Sequence, residues 1–107
     1  MPAVPEPPIP DPALVSDATL MARVAQRDSR ALIELERRHR SSLYAQVYGI
    51  LMDSTSAERV VRDVFSQLWY TAGWVGSKGT TWSWLRDMAT ELARAERALR
   101  EAPIPWR

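Results

Sequence analysis

Between residues 57 and 72 the apolar side chains Ala57, Val60, Val61, Val64, Phe65, Leu68, Trp69 and Ala72 recur at intervals of three and four. That spacing puts them along one side of an α-helix, and Glu58, Arg59, Arg62, Asp63, Ser66 and Gln67 on the other. An isolated helix of this length is marginal in water, so such a stripe requires an apolar surface to lie against. The stretch is incompatible with a strand, whose period is two. Whatever else the chain contains must therefore supply a partner for a helix over residues 58–72.

The remaining segments supply it in kind. Ser16 or Asp17 can cap a first helix of about ten residues with Leu20, Met21 and Val24 on its apolar side, interrupted at Arg27-Asp28-Ser29. Asp28 can cap a second, longer helix in which Leu32, Leu35, Leu43, Val47, Ile50 and Leu51 recur at helical spacing. The run Asp53-Ser54-Thr55-Ser56 reads as a turn into the helix already described. Past it, Gly73, Gly76 and Gly79 mark a loop carrying Trp74 and Lys78. Thr80 or Thr81 then caps a fourth helix with Trp82, Leu85, Met88, Ala89, Leu92 and Leu99 on one side. No segment alternates convincingly at period two, so the expectation is an all-α domain of four helices.

Prolines bound that domain. Pro2, Pro5, Pro7, Pro8, Pro10 and Pro12 deny backbone donors to the start of the chain, and Pro103 and Pro105 stop the last helix. The expected organisation is a flexible Pro-rich leader over 1–15, a helical domain over 16–102 and a tail over 103–107. The leader reads as a solubilising tail or, alternatively, as a polyproline ligand. It lacks the basic start and apolar run of a signal peptide, and no later stretch reaches membrane-spanning length.

Composition excludes several kinds of chemistry. Without cysteine there is no thiol nucleophile, disulfide framework or thiolate metal site, and a single histidine supplies no zinc set, so no metal or cofactor is expected. A formal net charge of +1 makes no global field for nucleic acid or membrane, leaving only local features to argue either. His39 stands beside Ser41 and Ser42, but a nucleophile and base also need an orienting acid and an oxyanion site in a pocket. The simpler reading has His39 bordering the core. The glycine loop lacks the Gly-Lys-Ser/Thr order and preceding strand of a phosphate cradle, and reads as a turn. The run Arg37-Arg38-His39-Arg40 is either a solvated face or a phosphate contact. Of five tryptophans, Trp74, Trp82 and Trp84 lie in or just past the loop, where they either stack on unpaired bases or pack in the core.

Taken in order, these segments resemble region 2 of bacterial sigma factors of the extracytoplasmic-function group, over about residues 17–100. Residues 20–28 followed by Ala31-Leu32 are similar to that family's opening helix and turn. The stretch Ala57-Glu58-Arg59-Val60-Val61-Arg62-Asp63-Val64-Phe65-Ser66-Gln67-Leu68-Trp69 resembles its acidic, glutamine-bearing segment, and Trp84-Leu85 with Met88-Ala89 the start of its last helix. The resemblance lacks a counterpart to the family's C-terminal DNA-binding region. It implies the compact four-helix region 2 fold and a protein of the bacterial cytoplasm that is not an enzyme.

It also implies partners and sites. RNA polymerase core would be met by Glu58, Arg59, Arg62, Asp63 and Gln67, with Phe65 and Trp69 behind them. Single-stranded promoter DNA from the upstream element would be approached by Trp74, Lys78, Thr80, Trp82, Trp84 and Arg86, and an anti-sigma-like regulator is a further implied partner. Against the family pattern, Arg59 stands in place of an acid and Arg62 in place of glutamine. Thr90 and Glu91 replace a basic residue and asparagine, and Ala95 and Ala98 replace aspartate and arginine. Four arginines and four carboxylates balance between residues 80 and 101. Two functions stay open: a domain for promoter recognition and melting on polymerase, or a degenerate interaction module that binds a regulator or itself without reading DNA.

Overall fold

A computed structural model of the chain describes residues 14–75 and 80–103. These form α1 (Asp17–Ala25), α2 (Ser29–Leu51), α3 (Ser54–Val75) and α4 (Thr81–Glu101), with no strand among the described residues. The four-helix, all-α expectation is borne out. Most of the Pro-rich leader and tail, and the loop residue Lys78, lie outside the described residues.

The caps are local and largely those the sequence offers. Ser16 Oγ accepts the Thr19 N–H at 3.2 Å, Asp28 Oδ1 the Arg30 N–H at 3.0 Å and Thr80 Oγ1 the Ser83 N–H at 3.1 Å. Each satisfies a donor that a helix start would otherwise leave open. α1 ends in a Schellman arrangement: the Asp28 N–H donates to the Arg23 carbonyl and the Arg27 N–H to the Val24 carbonyl. Arg27 occupies the left-handed position at φ 65°, where glycine is usual. Met52, after α2, does the same at φ 53°.

α3 differs from expectation at both ends. Asp53 Oδ2 accepts the Ser56 N–H at 2.9 Å, capping the helix three residues earlier than a turn through Ser56 allows. Ser54, Thr55 and Ser56 therefore form the first helical turn. At the other end the helix runs through Gly73 and Trp74 to Val75. One glycine in a helix costs only about 1 kcal/mol, less than a long helix docked on a core can absorb. A Cβ at Gly73 would meet nothing within 4 Å, so no close approach calls for glycine there. Trp74 thus sits on the last turn of α3 and not in the loop.

The core is the meeting of all four apolar sides. Leu20, Met21 and Val24 of α1, Leu35, Leu43, Val47 and Leu51 of α2, and Leu85 and Ala89 of α4 enclose the stripe of α3. All of that stripe is buried except Trp69, which is half-buried. α2 packs on each of the other three helices. On α2, Ala31 and Glu34 are buried while Leu32 and Ile50 are only partly covered, so its inner face is rotated toward Ala31. Leu99, expected on the apolar side of α4, is 79% exposed, because Ala93 is the last residue of α4 to reach the core. Beyond Ala93 the helix is held by polar contacts: Arg100 bonds Ser56 Oγ and faces Asp53 Oδ2 at 3.6 Å, tying the end of α4 to the α2–α3 turn.

Candidate functional site

The outer face of α3 follows directly from burial of the inner one. Glu58, Arg59, Arg62, Asp63, Ser66 and Gln67 are all exposed, as the helical period requires. Arg59 is ion-paired to Glu96 of α4, which neutralises part of the face and fixes that guanidinium beside the fourth helix. Phe65 is buried beneath the face, and Trp69 is covered by Arg27, whose guanidinium carbon lies 5.3 Å from the indole centroid. The same Arg27 donates to the Trp69 carbonyl. One residue of the α1–α2 turn thereby clamps the helix from the side.

At one residue per 100°, Arg59, Asp63, Gln67, Tyr70 and Trp74 fall within a narrow sector and make one ridge along α3. Tyr70 is 72% and Trp74 83% exposed. The ridge therefore changes from polar to aromatic toward the helix end. Tyr70 is absent from the sequence-derived candidates, although its spacing of seven from Asp63 was visible.

Near the start of α4 a second feature appears. An open cavity of about 720 Å³ lies between α1, the end of α3 and the start of α4, with Asp17, Met21, Ala72, Gly73, Thr80 and Trp82 in its wall. Behind Trp82 stands His39 of α2, its ring stacked on the indole at 5.5 Å between centroids and 30° between planes. His39 Nε2 bonds Asp17 Oδ2 at 2.7 Å, while Arg38 donates to Asp17 Oδ1 at 3.0 Å. Arg38 also donates to Glu34 Oε1, which receives Arg37 as well. The Arg37 hydrogen bond, followed by that of Arg38, holds the Glu34 carboxyl down at about 2 against the opposing effect of burial. Asp17 and then Glu34 push the Arg38 guanidinium above its ordinary value. The basic run is thus part of an ion-pair network, with two of its arginines engaged by carboxylates.

The six residues expected near DNA are not one cluster. Thr80 and Trp82 share the cavity wall. Trp74 stands on the α3 ridge. Trp84 is about 200° around α4 from Trp82 and borders a small groove with Asp87 and Glu91, a poor setting for a phosphate. Arg86 is exposed and faces Asp87 at 3.5 Å. Lys78 lies outside the described residues. α4 is fastened to α2 by Gln46, which donates to the Arg86 carbonyl at 2.9 Å and to Thr90 Oγ1 at 2.6 Å. Nothing in the local sequence signals that contact across more than forty residues, nor the Asp17–His39 pair.

Comparison with known proteins finds relatives in sequence. The chain is 35% identical over 71 residues to the ECF RNA polymerase sigma factor SigK of Mycobacterium sp. (strain KMS), covering 65% of this chain and 37% of that protein. It is 34% identical over 71 residues to the ECF RNA polymerase sigma factor SigK of Mycolicibacterium vanbaalenii, covering 65% and 36%. The chain thus spans little more than a third of the length of the curated relatives it matches. No family model matches it, and no solved structure does. The resemblance to extracytoplasmic-function sigma factors is borne out over 71 residues, and the all-helical fold is consistent with a region 2-like domain.

Proposed function

We propose that this chain, a sigma-factor-like domain by sequence and fold, docks on RNA polymerase core through the outer face of α3 and takes part in promoter recognition and melting. The observation that carries the reading is the α3 face itself. Glu58, Arg59, Arg62, Asp63 and Gln67 are displayed on a helix whose other side is buried along its length, in a chain similar to proteins named as RNA polymerase sigma factors. A face so rigidly backed is pre-organised, which lowers the ordering cost of docking. Its place of action is the bacterial cytoplasm, where polymerase works, and its role is binding and not catalysis. Upstream promoter DNA, once opened, would meet Thr80 and Trp82, since an indole offers a stacking platform contributing about 1–3 kcal/mol per base.

Titration of the chain against polymerase core tests this. Binding in the micromolar range or tighter is expected. Asp63→Arg is expected to weaken it roughly tenfold or more through charge reversal in the contact. Absence of binding by the wild-type chain at micromolar concentration would sink the proposal.

A second reading is favoured by α4. Its arginines are engaged largely within the domain: Arg97 with Glu101, Arg100 with Glu96 and Asp53, and Arg86 with Asp87. Such a helix suits a module that meets a protein partner, an anti-sigma-like regulator or a second copy, without gripping a phosphate backbone. Salt-insensitive self-association would support that version, and binding to single-stranded promoter DNA that weakens steeply with salt would count against it.

A further inference from the structure

Three helices converge on one imidazole. Asp17 opens α1, where the helix N-terminus favours a carboxylate, and both of its oxygens are taken: Oδ1 by Arg38 and Oδ2 by His39. Glu34 holds Arg38 from one turn earlier on α2. The carboxylate cannot swing away from His39 without giving up Arg38 as well. With a carboxylate as acceptor, His39 Nε2 carries the proton, and the ring plane is set by that bond. Trp82, at the second residue of α4, stacks on the ring so oriented. Trp82 belongs to the cavity wall and His39 stands outside it.

We propose that His39 is a positioning residue for strand capture: pinned by Asp17, it forms a fixed backing that presents the Trp82 indole to the cavity in one orientation. The inference rests on the reading of Trp82 as a platform for an unpaired base. Stacking on a base is strong only when the platform is already in place, because an indole free to change rotamer gives up part of the gain in ordering itself. A phenylalanine at position 39 would supply a face but no bond to Asp17. A glutamine would supply the bond but no face. The two halves of the device are therefore separable.

The experiment uses the full chain labelled with 5-fluorotryptophan, together with a short mixed-sequence single-stranded DNA carrying a fluorophore. The fluorine resonance of Trp82 is identified by its disappearance in Trp82→Phe. His39→Ala and His39→Gln are expected to shift or broaden the Trp82 resonance and leave that of Trp84 in place. DNA affinity should fall roughly tenfold in both, corresponding to loss of much of one stacking contact. His39→Phe should recover part of the affinity, which a merely structural loss would not allow. Circular dichroism reports whether each variant is folded, and His39→Gln, which keeps the Asp17 bond, serves if His39→Ala is not. Wild-type binding with an unmoved Trp82 resonance and unchanged affinity in the folded variants overturns the positioning role and leaves the functional reading standing. Failure of the wild-type chain to bind single-stranded DNA overturns the strand-capture reading and the inference with it.

Discussion

The division of α3 into an inner face that stabilises and an outer face that is free for a partner can be tested by one pair of substitutions. Leu68 is 0% exposed at the middle of the bundle. Replacing it by alanine removes three carbon groups, about 2.4 kcal/mol at roughly 0.8 kcal/mol each, before any cavity is counted. A residual cavity in a close-packed four-helix core adds to this, so the whole cost should fall near 3–4 kcal/mol, within the range of about 2–5 seen for such changes. For a domain of this size each kcal/mol lowers Tm by about 4–8 °C, giving a drop of at least about 12 °C. Asp63→Arg, on the opposite side, should change stability by no more than about 0.5 kcal/mol. Urea unfolding followed by circular dichroism measures both, provided the transition is two-state. A Leu68→Ala cost below about 1 kcal/mol, or an Asp63→Arg cost equal to it, would refute the assignment of the two faces. The contrast matters because it makes the expected loss of polymerase binding in Asp63→Arg interpretable as a loss of contact.

Other outcomes follow from single contacts. Met52 adopts a left-handed conformation and is 70% exposed as a residue, so Met52→Gly should gain about 0.5 kcal/mol, the relief of strain exceeding the added freedom of the unfolded chain. Arg27→Gly should gain less than Met52→Gly or lose stability, since Arg27 also holds Trp69; equal gains by thermal unfolding would show that the clamp contributes nothing. Glu34 has a folded-state value lowered from 4.5 to about 2, so its contribution is fully present above pH 4.5 and is lost as pH falls from there toward 2. Asp53, lowered by the Ser56 hydroxyl and N–H and by Arg100, acts in the same direction. Glu34→Gln should flatten the acid limb of a stability–pH curve, and an unchanged limb would contradict the network.

What the chain's order of residues determined alone is periodic or local. The buried stripe of α3, the caps at Ser16, Asp28 and Thr80, and the exposure of Glu58, Arg59, Arg62, Asp63, Ser66 and Gln67 depend on helical geometry and on neighbours a few residues away. Those quantities are readable because they do not require knowing what packs on what. The resemblance at residues 57–69 likewise lies in linear order. Tertiary structure decided what involves competition between elements. α3 continued through Gly73 because docking outweighed the small cost of glycine, which moved Trp74 from a loop to a ridge with Tyr70. Leu99 reached solvent because α4 is longer than the core it covers. Trp82 and Trp84, two residues apart, were sent to opposite sides of a helix, one into the cavity wall and the other beside two carboxylates. In the basic run the pairs of Arg37 and Arg38 with Glu34 are local to α2, but the tie to α1 is not: α1 delivered Asp17 to Arg38 and His39, and no pattern within α2 encodes that delivery.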